Sequence, residues 1–249
     1  STPTSDNTPV GATPTRQQPI NIIIKQDYNE GQFRIFLNDD DVTNKIRGHK
    51  VSLSVSNYAK KPEILDCVKQ VIGPNLAIWN QSFFAKPGIN GKATPWHQDG
   101  EYWPIRPLAT CTVWLAVDDS NEENGCLKYI PGSHKRKATR KHSTNNSSNL
   151  TLNQEIDQSE YNEKDAYNLC LKAGQMALHD VFIIHGSGVN TSPKSRRGMT
   201  MRYMPTSSTF NRKLAKEHSE KFNLDHQNRT LFLMSGIDES GTNDFIVRS

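Results

Sequence analysis

The 249-residue chain is predicted to be mainly β with an α+β fringe, a jelly roll or barrel with flanking helices. Three observations point there. From Asn75 onward, short runs rich in β-branched and aromatic residues recur between turn residues. Before them, one stretch carries the helical period. The length suits one large domain, and β-barrels of this size are routine.

The elements follow in order. Residues 1–19 are rich in Thr, Pro and Ser and nearly free of large apolar residues, which predicts a tail, or a strap laid over the domain. Ile20–Ile24 and Phe33–Leu37 are predicted strands, joined by the polar turn Tyr28-Asn29-Glu30-Gly31. Pro62–Ile72 is a predicted helix: Ile64, Leu65, Val68 and Ile72 have its spacing, Pro62 opens it and Gly73 lies just past its end. Strands are then predicted at Leu76–Phe84, Ala109–Val117, Cys126–Ile130, Gln175–His179, Phe182–His185 and Met199–Met204. Pro87-Gly88, Asn124-Gly125, Pro131-Gly132 and Lys172-Ala173-Gly174 punctuate them. Residues 134–168 are polar, charged and without apolar period; too long for a turn, they read as a lid or binding loop inserted into a single domain spanning 20–249.

Composition excludes several classes. A net charge of +4 is too small to demand a nucleic-acid partner, and no apolar run approaches a membrane span. Cys67, Cys111, Cys126 and Cys170 have no paired spacing and read as reduced thiols, mostly packed in the interior. The expectation is a cytoplasmic protein acting on a small molecule, with no nucleic-acid or membrane partner.

His97-Gln98-Asp99 is the most informative motif. Two residues apart on an extended strand, an imidazole and a carboxylate point to the same side. Mixed nitrogen and oxygen donors suit Fe(II) better than a thiolate zinc site. A second, distant histidine would complete one face of a metal and leave the other face open. His185, in Val181-Phe182-Ile183-Ile184-His185-Gly186-Ser187-Gly188, competes with His134 and His179 for that role, and spacing alone does not choose. Arg196 and Arg197 follow His185 by eleven and twelve residues and open a strand-like run. A guanidinium there could clamp a carboxylate in bidentate fashion; a solvated turn is the plainer reading.

WHQDGEYWPIRP, WLAVDD, ENGCLKYIPGSH and HGSGVNTSPKSRR, in this order from about Gln81 to Tyr203, resemble the phytanoyl-CoA dioxygenase family, which is similar also to ectoine hydroxylases. The resemblance implies a double-stranded β-helix of cupin-like form and an Fe(II)- and 2-oxoglutarate-dependent dioxygenase, with O₂ as second cosubstrate. It implies His97, Asp99 and His185 as iron ligands. It also implies Arg196 on the C5 carboxylate of 2-oxoglutarate, assisted by Ser187, with Trp114 and Gln81 touching the cosubstrate and Arg197 as a second anion candidate. Halogenases similar to this family replace the metal carboxylate with a small residue; Asp99 therefore favours hydroxylation of an aliphatic carbon, with release of succinate and CO₂.

Substrate residues are less legible. Trp103 lines the pocket mouth or packs in the core, and Arg106 binds an anion or caps a turn. Arg136, Lys137, Arg140 and Lys141 hint at an anionic substrate, although charge runs usually serve solvation. The competing readings are a catalytically silent β-helix that senses a ligand, and a cupin-type hydrolase or isomerase that keeps the metal without the cosubstrate.

Overall fold

The computed structural model describes residues 24–29, 32–37, 40–41, 58–222 and 226–247. The chain divides into two units, Ser1–Val51 and Ser52–Ser249. In the first, β1 (Ile24–Asn29), β2 (Gln32–Leu37) and β3 (Asp40–Asp41) form an antiparallel sheet whose register pairs Asn29 with Gln32. The second strand is close to its expected position. The first begins at Ile24, where the expected one ends; residues 20–23 and the predicted tail 1–19 lie outside the described residues.

In the second unit, helix α1 (Pro62–Ile72) matches its predicted limits. Pro62 stands at the first turn, and the Gly73 N–H closes the end on the Lys69 carbonyl at 3.0 Å, with Gly73 at φ +89°. Ile64 and Val68 are buried, with Leu65 and Ile72 packed beside them. This stripe covers Ile78, Val113, Met201 and Tyr203, one face of the main sheet. Burying each such side chain contributes about 1.5–3 kcal/mol, so the helix is held by packing more than by propensity.

Strands β4 (Leu76–Lys86), β5 (Thr94–His97), β6 (Ile105–Arg106), β7 (Cys111–Ala116), β8 (Leu127–Tyr129), β9 (His142–Thr144) and β10 (Gln154–Ile156) follow. Then come β11 (Tyr167–Leu169), β12 (Met176–Asp180), β13 (His185–Ser187), β14 (Arg196–Pro205), β15 (Thr209–Phe210), helix α2 (Arg212–Phe222), β16 (Leu231–Ser235) and β17 (Phe245–Val247). The large sheet runs β12-β7-β14-β4-β16-β17 and the small one β11-β8-β13-β5; all pairings in both are antiparallel except β16 with β17. Two sheets of mainly antiparallel strands are the double-stranded β-helix that the motifs implied. No helix among the described residues is long and apolar enough to cross a membrane.

Three further expectations change. The strand predicted at Phe182–His185 begins only at His185. Asp180 closes a turn before it, its carboxylate accepting from the Phe182 N–H at 2.8 Å and its carbonyl from the Ile183 N–H at 3.1 Å. Val181–Ile184 are buried all the same, so their apolar character reports burial and not a ladder. The segment 134–168 contains the β9–β10 hairpin and three short 3₁₀ turns. Its buried Ile156 packs with Trp96, Ile130 and Ile184, and Tyr161 lies 5.3 Å from the Trp96 ring. Only a few apolar residues anchor this segment, too few to show a period. All four cysteines are free; Cys170 is exposed, against the expectation of an interior role.

Candidate active site

The small sheet brings two histidines together. Antiparallel pairing of β13 with β5 sets His185 opposite His97, their ring centres 4.2 Å apart. Each ring is oriented by the carbonyl two residues before it: His97 Nδ1 donates to Pro95 O at 2.8 Å, and His185 Nδ1 to Ile183 O at 3.1 Å. A carbonyl can only accept, so the proton sits on Nδ1 and the Nε2 lone pair is free for a metal. Burial pushes both imidazoles below their ordinary pKa, which keeps them neutral.

Strand β5 ends at His97 and a 3₁₀ turn begins at Asp99. Gln98 between them is extended, at φ −117° and ψ 131°, so the period of two persists across the motif. Asp99 thereby joins the histidines, its Oδ1 3.7 Å from His97 Nε2. One donor atom from each of His97, Asp99 and His185 lies within 4.8 Å of the others. Burial alone would raise the Asp99 pKa, but His179, His185 and the Arg202 guanidinium outweigh it and hold the carboxyl well below the usual range. The trio is one carboxylate and two neutral imidazoles, the donor set that suits a divalent iron with an open face.

Gln98 points the other way and is fully buried. Its amide nitrogen donates to Phe182 O at 2.6 Å and Ala138 O at 3.3 Å, and its Oε1 accepts from the Arg140 N–H at 2.6 Å. The Gln98 backbone N–H donates to His142 Nε2 at 3.1 Å. The residue between the two metal candidates thus ties segment 134–168 to the site. Of the competing histidines, His179 stands beside the trio with its Nε2 3.8 Å from Asp99 Oδ2, too far for a hydrogen bond, and its Nδ1 2.9 Å from the Tyr129 hydroxyl. His134 lies in the 3₁₀ turn Ser133–Arg136 and is not in the group.

The large sheet supplies cations. Across one face, ladder partners set Arg196 beside Lys86, Gly198 beside Phe84, Thr200 beside Ser82 and Trp114, and Arg202 beside Asn80 and Thr112. Arg196 is buried; its Nη2 donates to Gly125 O at 2.9 Å, its guanidinium lies 5.1 Å from the Trp114 ring, and its Nε has no partner. Burial pushes its pKa down to about 10. Arg197, on the opposite face, is spent on Asp118 through two hydrogen bonds of 2.7 Å. Of the adjacent pair, Arg196 is the one left open.

Lys86 escaped the reading of the sequence. It is buried, and its ammonium donates to the carbonyls of Ser187, at 3.4 Å, and Gly188. Burial, then the Arg196 charge, lowers its pKa to about 7. Ser187, two residues past His185, is buried with its Oγ unpaired. Two buried cations and an orphaned hydroxyl form a cradle that lacks an anion. The residues present therefore fit a chelating oxo-acid whose far carboxylate reaches this cradle.

Other predicted residues are placed differently. Gln81 is opposite Met201, which packs with Val113 under α1, so the register turns Gln81 away from Asn80, Ser82 and Lys86. Trp103 is buried with its ring 5.0 Å from Trp79. Arg106 is exposed and caps a turn, its Nη1 donating to Trp103 O at 3.1 Å and Ile105 O at 2.7 Å. The basic cluster is largely paired: Arg136 and Arg140 with Glu160 at 3.3 and 2.9 Å, and Lys137 with Asp180 at 2.6 Å. Arg202 also went unnoticed. Counting by twos from Arg196 reaches it, but only the register shows which face it shares.

The family model described as phytanoyl-CoA dioxygenase (PhyH) matches residues 19–198. Phytanoyl-CoA dioxygenase domain-containing protein 1 of Danio rerio is 32% identical over 160 residues, covering 64% of this chain and 52% of that protein. The chain spans about half the length of the curated relatives it matches. Among solved structures, the non-heme monooxygenase ThoJ in its apo form is 25% identical with a TM-score of 0.59, covering 77% of this chain and 64% of that one. CytC3 with Fe(II) and alpha-ketoglutarate is 28% identical with a TM-score of 0.53, covering 77% and 68%.

Proposed function

Since this chain belongs to the phytanoyl-CoA dioxygenase family, we propose that it is an Fe(II)- and 2-oxoglutarate-dependent dioxygenase that hydroxylates an aliphatic carbon of a small, anionic metabolite. The observation that carries the reading is the convergence of His97, Asp99 and His185, with both Nε2 lone pairs free, and the tie of Ser187, two residues past His185, to the buried Lys86 that pairs with the buried Arg196.

When bound, iron and 2-oxoglutarate supply the oxidant that places an oxygen atom from O₂ in a C–H bond, with succinate and CO₂ as coproducts. The protein's part is to hold and orient. His97, Asp99 and His185 would hold the metal, and the Pro95 and Ile183 carbonyls keep both imidazoles in the ligating tautomer. Arg196, helped by Lys86 and the Ser187 hydroxyl, would take the C5 carboxylate. Trp114 packs against Arg196 and keeps that guanidinium in place. Burial of all these groups excludes water and strengthens each electrostatic contact. No side chain is needed as general acid or base. Asp99, in the carboxylate position, supports hydroxylation over halogenation, and the free cysteines support a reducing, cytoplasmic setting.

The test is Fe(II)-dependent conversion of 2-oxoglutarate to succinate, which proceeds slowly even without the primary substrate. Wild type should form succinate, and His97→Ala and Asp99→Ala should not. Equal succinate formation by all three proteins would sink the proposal.

A further inference from the structure

Arg202 is the cation that this reading leaves without a task. It lies on the same face of β14 as Arg196, six residues further on, so roughly 20 Å separates the two positions along the strand. A five-carbon dicarboxylate held by Arg196 cannot also satisfy Arg202. The two arginines have different surroundings. Arg196 is packed among Trp114, Gly125 and Lys86, whereas Arg202 is half-buried beside Asn80, Ser82 and the rings of Phe84 and Trp103.

The hydrogen bonds of Arg202 are one-sided. Nη1 donates to Asn80 Oδ1 at 2.9 Å and to Ser82 Oγ at 3.1 Å, both neutral acceptors. Nε is buried and has no acceptor, and no ion pair is found for this guanidinium among the described residues. The unused Nε and Nη2 donors form the edge that grips a carboxylate in bidentate fashion. Arg197 uses that same edge on Asp118, at 2.7 Å for each bond. The Arg202 guanidinium also lies 5.7 Å from the Phe84 ring and 5.4 Å from the Trp103 ring. Phe84 stands opposite Gly198, between the two arginines, and is 43% exposed, so one of the rings that the Arg202 guanidinium approaches borders solvent.

A guanidinium with its bidentate edge vacant, on the face that carries Arg196 and close to two aromatic rings, is a ready anion anchor. We propose that the Nε/Nη2 edge of Arg202 binds a carboxylate or phosphate group of the primary substrate, whose adjoining carbons rest against Phe84 and Trp103. The inference deepens the oxygenase reading by naming the group that fixes the substrate. It also gives Trp103 a share in the pocket that its core packing alone would not.

The experiment uses the full chain loaded with Ni(II), which does not turn over, and saturated with 2-oxoglutarate so that Arg196 is occupied. Benzoate, phenyl phosphate and the neutral benzyl alcohol are titrated, with binding followed by calorimetry and tryptophan fluorescence. At least one anion should bind wild type at least about tenfold more tightly than benzyl alcohol, and the stronger of the two anions identifies carboxylate or phosphate. Arg202→Gln should lose about tenfold or more for the anion and little for the alcohol; Arg202→Lys, which keeps charge but not the fork, should lie between. Arg196→Gln should lose 2-oxoglutarate and retain the anion. Equal binding of anion and alcohol by wild type, anion binding unchanged in Arg202→Gln, or no anion binding at all would overturn the proposal. Wild type needs no variant to fold for the first and third of these. Absence of 2-oxoglutarate binding by Ni(II)-loaded wild type, with Arg202-dependent anion binding intact, would instead sink the oxygenase reading alone.

Discussion

The small sheet and the large sheet face the same chemistry with opposite means. Strands β5 and β13, of four and three residues, carry His97 and His185, Asp99 follows in the turn after β5, and the rings are set locally by carbonyls two residues away in sequence. In β4 and β14, strands of eleven and ten residues carry Lys86, Arg196 and Arg202, and each cation is set by alternation along a long ladder. Metal donors need a fixed tautomer and a free lone pair, which short-range hydrogen bonds supply. Anion donors need spacing over many ångströms, which only a regular strand supplies.

The comparison breaks most completely at the metal. Asp99→Ala or His185→Ala should abolish binding of Co(II) or Fe(II) in equilibrium dialysis and take succinate formation to background, while the fold, read by circular dichroism, persists. Unchanged metal content would show that the small sheet is not the metal half. On the large sheet, Arg196→Gln should weaken 2-oxoglutarate by about 10–100-fold, the loss of a bidentate charged contact, and leave metal affinity alone. An equal loss of both would erase the division between sheets.

Where the sheets meet the inserted segment, Gln98→Ala should cost roughly 2–3 kcal/mol in denaturant unfolding, because it strands buried backbone groups at Ala138, Arg140 and Phe182. Hydrogen exchange should quicken around Arg140 if the clamp is as described. Gly198→Ala should cost about 1–3 kcal/mol, since its Cβ would come within 2.3 Å of the Trp114 ring. The smallest effect concerns pH. Lys86 is charged below about pH 7 and neutral above it. The affinity for 2-oxoglutarate should therefore fall a few-fold as pH rises through 7, and Lys86→Met should flatten that slope. The same depressed pKa makes folding gain stability between about pH 7 and 10.5, where the unfolded lysine holds a proton that the folded one has shed.

What could be read in advance follows the same division. Helix Pro62–Ile72 was legible from its stripe, its proline and its glycine, all local signals. The pairing of His97 with Asp99 followed from alternation, and it survives the end of the strand because Gln98 stays extended. His185 needed the family motifs, since spacing alone left His179 as a rival, and His179 does stand beside the trio. Lys86, Arg202 and the turning-away of Gln81 were hidden, because each depends on which residue of β4 stands opposite which residue of β14. Register is a long-range property. The strand expected at Phe182–His185 failed for a different reason: apolar residues fill a turn as readily as a ladder when the core needs them.

Gly198 and Trp114 carry one more consequence. The indole occupies the space that any side chain at 198 would need, so the two positions are not free to vary separately. Among relatives, a residue larger than glycine at the position of Gly198 should appear only where the tryptophan has already become small. A lineage that lost this indole would lose the wall against which Arg196 rests, and its preference among oxo-acid cosubstrates should drift with it.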